Sequence, residues 1–316
     1  MSDPISIYLG PNDCSIGIYK NGKPEIIQFD NKQRTIPYII SFKNNKILIG
    51  NDAKKIMNEN LKNTVYGLRE IIGKNYDDEE VQKFIKKVNF IIEEDSNTNK
   101  PIIIIENKGE KKRYFIEEIY SMIFDEIIKK TKQYLKQDVK NIILTIPSYF
   151  NDSQTNIIKN LVKKNGLNIL KIINEAIAAC YAYNLDDDKK PKKILVLYMG
   201  SNETNINILF FNGYSFKVKA NEKNDNLGGK FFDEELYDYC LKKLHEDTNI
   251  EFEENISLKN KLMNQCERLK IDLSYVEESE FDIDYYNYRI TIEEFENMCH
   301  HLFQNLMMGY VAKTAC

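Results

Sequence analysis

Apolar residues recur along this chain with two different periods, and the changes of period mark out its elements. From Ile5 the pattern Ile5-Ser6-Ile7-Tyr8-Leu9-Gly10 reads as a short strand closed by a glycine, with further strands over 14–20 and 23–29 on either side of Asn21-Gly22. The plan returns later. Residues 194–197 run into Tyr198-Met199-Gly200, a strand covers 205–211, and Asn212-Gly213 turns into 214–219. Asn-Gly between β-rich runs is a hairpin signal, because both residues tolerate positive φ. Strand, glycine, strand, Asn-Gly and strand, twice over at nearly equal spacing, read as an internal duplication.

Between the copies the period lengthens. Ile116, Ile119, Tyr120, Ile123, Phe124, Ile127 and Ile128 share one helical face. Residues 139–146, closed by Pro147, and residues 169–173 read as buried strands. Asn151, Asp152 and Ser153 each offer an N-cap to a helix carrying Ile157, Ile158, Leu161 and Val162, and 175–183 reads as a short Ala-rich helix. Residues 38–112 mix short strands with a charged helix. After the second copy, Phe232, Leu236, Cys240 and Leu244 give one helical stripe, and Leu258, Leu262, Cys266, Leu269 and Leu273 another. Phe281, Ile283 and Tyr285 then alternate against Tyr288, Ile290 and Ile292 as a hairpin. Thr291 and Glu294 form a capping box opening a last helix over 291–306. Each copy therefore carries its own peripheral subdomain on a mixed α/β core.

Composition narrows the function. A length of 316 residues suits two lobes. The net charge of −4 removes the electrostatic argument for nucleic acid or an acidic membrane surface. No apolar run approaches the roughly 20 residues of a membrane span, and Met1-Ser2-Asp3-Pro4 does not read as a signal peptide. The six cysteines (14, 180, 240, 266, 299 and 316) contain no C-x-x-C pair, which points to a reduced, cytoplasmic setting without structural zinc. Cys299-His300-His301 with His245 is a poor metal set, since adjacent side chains on a helix diverge.

Glycine turns at the start of each copy suit a phosphate clamp, their N–H groups being aimed at anionic oxygens. The sequence around them is more specific. Residues 145–154, Thr-Ile-Pro-Ser-Tyr-Phe-Asn-Asp-Ser-Gln, closely resemble the V-P-A-Y-F-N-D-S-Q segment of the seventy-kilodalton heat-shock chaperone (heat shock protein 70) family. Residues 167–176 resemble its G-L-N-V-L-R-I-I-N-E-P, residues 226–233 its H-L-G-G-E-D-F-D, and residues 266–270 its C-E-R-A-K. The resemblance is collinear over about residues 5–305.

It implies an actin-like ATPase fold with a duplicated, ribonuclease H-like core in two lobes that bind ATP or ADP with Mg²⁺. Lobe I would span 1–188, with core 1–37 and 113–188 and peripheral piece 38–112. Lobe II would span 189–316, with core start 189–229, peripheral piece 230–306 and an atypical tail 307–316. The family continues beyond that point with an adenosine loop, closing strands and a crossing helix, so lobe II is expected to be incomplete, and no substrate-binding domain is expected in this chain. The resemblance also assigns roles. Arg69 stands at the catalytic lysine position and Glu175 at the glutamate near the metal waters. Gly10, Asn12, Gly200, Ser201, Asn202, Gly228 and Gly229 would line phosphates, and Glu267, Lys270 and Ser274 the adenosine, with Ile271 replacing an arginine.

The departures fall on the chemistry. Water attack on a γ-phosphate needs positioning and charge rather than covalent help. The family's D-L-G-T-T reads Tyr8-Leu9-Gly10-Pro11-Asn12, and its D-L-G-G-G-T-F-D reads from Tyr198 to Asn205. A phenol, neutral at pH 7, cannot order Mg²⁺ waters as a carboxylate does. Pro11 removes an N–H, and Glu203 is expected to repel a γ-phosphate. In the relay toward a partner domain Pro147 and Glu175 remain, but Thr155 replaces an arginine and Ala176 a proline. Three functions stay open: a pseudo-ATPase acting through protein partners (co-chaperones or other chaperones), a working ATP-dependent chaperone, and a truncated product. Hydrolysis is expected to be weak or absent, and no metal ligand is assigned.

Overall fold

The structure, a computed structural model, describes residues 3–29, 32–107, 109–248, 256–283 and 286–314; Tyr285 and Cys316 lie outside them. It divides into two compact units, Met1–Ala182 and Tyr183–Cys316. The division falls at the end of a helix, earlier than the expected 188/189 boundary, so the charged 186–193 stretch belongs to unit 2.

Unit 1 opens with β1 (Ile5–Leu9), β2 (Asp13–Lys20), β3 (Lys23–Ile26) and β4 (Ile36–Pro37). The peripheral piece follows as β5 (Ile40–Lys43), β6 (Lys46–Ile49), α1 (Asn51–Ile56), β7 (Thr64–Val65), α2 (Glu79–Ile85), β8 (Ile91–Asp95), β9 (Lys100–Asn107) and β10 (Glu110–Phe115). The chain returns through α3 (Ile116–Leu135), β11 (Asn141–Ile146), α4 (Asp152–Lys164), β12 (Asn168–Asn174) and α5 (Glu175–Ala182). One six-stranded sheet runs β12-β11-β1-β2-β3, with β4 on β2. Its central strand β1 is antiparallel to β2 and parallel to β11, with Ile7 between Ile16 and Leu144. All three are fully buried and share one core with the α3 stripe and with Ile158, Leu161 and Val162 of α4. The peripheral strands form two three-stranded sheets, β6-β5-β7 and β10-β9-β8.

The expected buried strand over 169–173 is different. β12 exists, but it is the sheet edge, and Leu170 and Lys171 are exposed because among the described residues no strand pairs beyond it.

Unit 2 opens with β13 (Lys192–Met199), β14 (Thr204–Phe211) and β15 (Phe216–Asn224), an antiparallel sheet in that order. It continues with α6 (Gly229–Thr248), α7 (Ile256–Asp272), β16 (Glu278–Ile283), β17 (Tyr286–Thr291), α8 (Ile292–Met298) and α9 (His300–Thr314). The α6 and α7 stripes meet in a core with Phe281, Ile290, Phe295 and Leu302. Thr291 and Glu294 make the expected capping box. The single last helix is instead interrupted at Cys299, where φ −91° and ψ 6° leave the helical region.

The two Asn-Gly turns also differ. Asn21 and Gly22 both take positive φ, 53° and 77°. At the second turn only Gly213 does, and Asn212 accepts bonds from the N–H groups of Tyr214 (2.9 Å) and Ser215 (2.8 Å), so the loop widens and β15 starts later than expected. Among the described residues no helix is long and apolar enough to cross a membrane.

Candidate functional site

In unit 1 the first glycine turn joins β1 to β2. Its glycine is required by crowding: a Cβ on Gly10 would stand 2.7 Å from the Asp13 carbonyl oxygen and 3.0 Å from Cε1 of Tyr8. The phenol that replaces the expected aspartate therefore lies against the turn. Asn12 is anchored through its carbonyl, which accepts from the Tyr38 N–H at 2.8 Å. Burial raises the Asp13 pKa, opposed by a hydrogen bond from Thr35 and by the charge of Lys54.

Arg69 lies on a short 3-10 turn, Leu68–Glu70, and is only 5 % exposed. Its Nη1 donates to the carbonyl of Leu9, the residue before Gly10, at 2.5 Å. Its Nη2 donates to the Tyr149 hydroxyl at 3.2 Å and lies 3.2 Å from Oε1 of Glu175. The rings of Tyr149 and Phe150 flank the guanidinium at 5.8 and 5.9 Å, an arrangement that suits the flat arginine head better than an ammonium. Glu175 opens α5, where the helix dipole favours a carboxylate. Asn174 steadies that end by accepting from the Ala176 N–H at 2.9 Å while donating to Ser148 Oγ at 2.8 Å.

The segment around Tyr149 also has structural duties. Asn151, one of three possible caps, is the one used; it caps α4 by accepting from the Gln154 N–H at 2.8 Å. The buried Gln154 amide in turn donates to the Ile72 carbonyl at 3.1 Å. Pro147 and Ala176 are buried, and Thr155 lies in the first turn of α4.

In unit 2 the second turn is built from the same crowding. A Cβ on Gly200 would stand 3.2 Å from Cε1 of Tyr198, so here too a tyrosine ring lies against the turn glycine. The N–H groups expected to cradle phosphate have internal partners. Gly200 donates to the Glu203 carbonyl (2.8 Å), Gly229 to that of Gly200 (2.9 Å) and Lys230 to that of Ser201 (2.8 Å). Gly228 permits this approach, since a Cβ there would meet the Ser201 oxygen at 2.5 Å. Ser201 and Asn202 face each other, Oγ to Oδ1, at 3.4 Å.

Glu203 corrects an expectation. It is buried, accepts from Asn205 at 2.8 Å and pairs with Lys223 of β15 at 3.0 Å, so its charge is cancelled within the sheet and does not repel a phosphate. Burial lowers the Lys223 pKa, but the Glu203 and Asp225 carboxylates outweigh it and hold it above the ordinary lysine value.

On the helix assigned to adenosine, Glu267 is exposed on α7, and Ser274, just past its end, donates to the Lys270 carbonyl at 3.3 Å. Lys270 is engaged elsewhere: its Nζ pairs with Asp233 at 2.6 Å and donates to the Gly229 carbonyl at 3.1 Å. Burial raises the Asp233 pKa even against that lysine.

The structure thus joins Arg69, Glu175 and the Gly10 turn within unit 1. Within unit 2 it joins Gly200, Ser201, Gly228, Gly229 and Lys270. Sequence reasoning missed Tyr149, Asp233 and Lys223 as partners. Lys223 was findable as the cross-strand neighbour of Asn205, whereas Asp233 required the α6–α7 packing. At the positions of the two expected aspartates each turn carries a tyrosine; the carboxylates nearby are Asp13, bonded by Thr35, and Glu203, paired with Lys223, and among the described residues no group of three or more His, Cys, Asp or Glu side chains is placed to hold a metal. The residues present do not fit Mg²⁺ at the positions the resemblance assigns to it.

Comparison with known proteins accounts for this arrangement. The profile of the family described as "Hsp70 protein" matches residues 4–315. The chain belongs to that family, and its fold is the actin-like ATPase fold of the family's nucleotide-binding domain. It is similar to "Heat shock 70 kDa protein 2" of Paracoccidioides lutzii, 33% identical over 315 residues covering 97% of this chain and 48% of that one. It is likewise 33% identical to "Heat shock 70 kDa protein" of Trichophyton rubrum, with the same coverage. "Heat shock cognate 70 kDa protein 3" of Dictyostelium discoideum is 32% identical, over 95% of this chain and 49% of that one. The chain spans about half the length of the curated relatives it matches.

Proposed function

We propose that this chain is a divergent Hsp70-type ATP-binding domain whose hydrolytic step is impaired or absent. In this reading it acts in the cytoplasm through protein partners, co-chaperones or other chaperones, as an interaction or regulatory module. The carrying observation is duplicated: in each unit a tyrosine ring lies against the turn glycine, Tyr8 on Gly10 and Tyr198 on Gly200. A neutral phenol in that place neither orders metal waters nor leaves the turn open to a phosphate oxygen. Arg69 adds to the argument. Turning its guanidinium toward a phosphate means breaking a buried ion pair with Glu175 and a bond to Leu9, a loss of several kcal/mol. The nucleoside side is better kept, because Glu267 and Ser274 remain exposed at α7. Weak, metal-independent nucleotide binding follows from that imbalance. The buried thiols of Cys14, Cys180, Cys240, Cys266 and Cys299 are all unpaired, as a reducing cytoplasm would keep them.

The test is ATP turnover by the purified chain with and without Mg²⁺, alongside calorimetric titration with ATP. Expected are no Mg²⁺-dependent turnover and an affinity that Mg²⁺ does not change. A rate comparable with an intact family member, abolished by Glu175→Ala, would overturn the proposal.

A further inference from the structure

The chain's net charge of −4 hides an uneven distribution. β1, β11 and β12 run parallel and β2 runs back against β1, so three connections open at one end of the unit 1 sheet. These are the Asn21-Gly22 turn, the loop from α3 into β11 and the loop from α4 into β12. They and their flanks carry Lys20, Lys23, Lys136, Lys140, Lys163 and Lys164, all exposed, and among the described residues none of the six is ion-paired. Of the acids at this end, Asp138 is paired with Lys132 at 3.2 Å, which leaves Asp3 and Glu25. Lys136, Lys163 and Lys164 stand at helix C-termini, where the dipole favours a cation. No helix explains Lys20, Lys23 and Lys140, which stand at strand ends.

The same end holds a cavity of about 230 Å³. Ile5, Ile18 and Leu135 line it together with the exposed rings of Tyr19 (65 %) and Tyr134 (40 %), and Asp3 and Lys20 border it. The Tyr19 ring is held although exposed, because its hydroxyl donates to the Gly22 carbonyl at 2.9 Å. A fixed aromatic wall loses little freedom when something docks against it. Sites for whole small molecules run to roughly 300–1,000 Å³, so this cavity suits a single apolar side chain. The Gly10 turn lies at the other end of β1, and nothing at the lysine end rests on the nucleotide reading.

We propose that this end of unit 1 docks an acidic segment of a partner protein. The segment seats one apolar side chain in the cavity walled by Tyr19 and Tyr134 and lays its carboxylates on the lysines. An apolar anchor inside a charged rim is the plan of a protein interface, the anchor supplying affinity and the rim on-rate and register. Charge complementarity selects the occupant. A short segment meets only the local lysines, because electrostatic reach is roughly 10 Å at 0.1 M salt. A membrane or a long polyanion also meets the acids that bring the whole chain to −4. The cavity, too, calls for a side chain, which neither a lipid headgroup nor a phosphate backbone supplies. The reach is short. β2 and β12 are three strand spacings apart, roughly 14 Å, so about five extended residues run from the cavity to Lys163 and Lys164.

The probe is a fluorescein-labelled peptide of about ten residues, all glutamate and aspartate except for one central phenylalanine. It is titrated with the full 316-residue chain and followed by anisotropy. The expected result is saturable binding that weakens as ionic strength rises from about 0.05 to about 0.5 M. Lys136→Glu with Lys140→Glu should weaken it at least about tenfold, while Lys217→Glu with Lys219→Glu, the same change of charge on β15, should leave it within a few-fold. A peptide with serine in place of the phenylalanine should bind at least about tenfold more weakly, and Tyr134→Ala should erase that difference. Circular dichroism would check that each variant folds. Vesicles of phosphatidylserine with phosphatidylcholine, or a single-stranded oligonucleotide at matched charge, should not displace the peptide. No saturable binding, binding indifferent to the changes at Lys136 and Lys140, or equal affinity for the two peptides would each overturn the proposal. Displacement by the vesicles or the oligonucleotide would also overturn it, since the site would then be one for polyanions at large.

Discussion

The two copies of the strand–glycine–strand–hairpin plan agree in their backbones and differ in what covers them. Counting from the turn glycines, Tyr8 corresponds to Tyr198, Ile7 to Leu197 and Ile5 to Leu195. In the first copy Ile5 and Ile7 are buried beneath the α3 stripe, and β11 occupies the outer edge of their strand. In the second, Leu197 is 40 % exposed, and among the described residues of the sheet Met199, partly buried, packs against the helical core of unit 2. Strand patterning sets the hairpins, then, but burial is decided by distant elements. The glycine turns behave the opposite way, because both copies place a tyrosine ring on the glycine whatever covers the strands. Local crowding within a few residues produced the shared feature, and long-range packing produced the difference.

The largest test of this comparison concerns the buried charges beside each turn. Arg69→Met should take the guanidinium from Glu175, and Lys223→Met should take the ammonium from the more deeply buried Glu203. Each loss should destabilise its unit by about 3–5 kcal/mol in denaturant unfolding, as removal of one member of a buried pair does. Adding Glu175→Gln or Glu203→Gln in the same chain should recover much of it. A loss below about 1 kcal/mol in either unit would show that its pair is not held out of water. The lysine pair carries a pH signature as well. Because the folded Lys223 pKa lies above its ordinary value, its stabilisation is complete below about pH 10 and fades as the pH rises through the folded value. Arg69 has no comparable alkaline step within reach, so the Glu203–Lys223 contribution should fade there while the Arg69–Glu175 pair persists, on top of an alkaline loss common to both units from groups whose pKa values burial raises, Cys14 and Tyr38 in unit 1 and Cys299 in unit 2.

Next in size is the contrast in burial. Ile7→Ala removes atoms from a closed core and should cost about 2–5 kcal/mol. Leu197→Ala at the matching position, measured on dilute protein, should cost less than about 1 kcal/mol. Equal losses would mean that the second strand is covered in solution even when dilute.

Much of this was legible in the sequence, for identifiable reasons. The duplicated hairpins, the α3 stripe and the capping box at Thr291 are written in local periodicity and capping chemistry, which residues within one turn or one strand decide. The family segments singled out both Arg69 and Glu175, and the structure is what brings them together across 106 positions. What was not legible depends on burial and on partners far apart in the chain. Residues 169–173 are as apolar as a central strand, and only the sheet order reveals that β12 is an edge. Glu203 looked like a charge aimed at phosphate because its partner, Lys223, lies on the neighbouring strand in a register that a bulge sets. The role of Gly228 was likewise hidden. Its sequence suggested phosphate contact, while the structure uses it to bring the start of α6 onto Ser201.

The smallest effect separates the two hairpin turns that share the dipeptide Asn-Gly. At the first, Asn21 is chosen for its backbone, since its φ of 53° lies in the left-handed region. Asn21→Ala should cost about 1–2 kcal/mol there, and Asn21→Gly should be close to neutral. At the second, Asn212 is chosen for its side chain, whose oxygen accepts the N–H groups of Tyr214 and Ser215. Asn212→Ala should cost about 0.5–1.5 kcal/mol. Glycine should not rescue that loss, whereas Asn212→Asp, which keeps the accepting oxygen, should. Thermal unfolding of these five variants with the unmodified chain would read out the pattern. If glycine rescued both turns, the second loop would depend on backbone freedom after all, and the two hairpins would be alike in mechanism as well as in sequence.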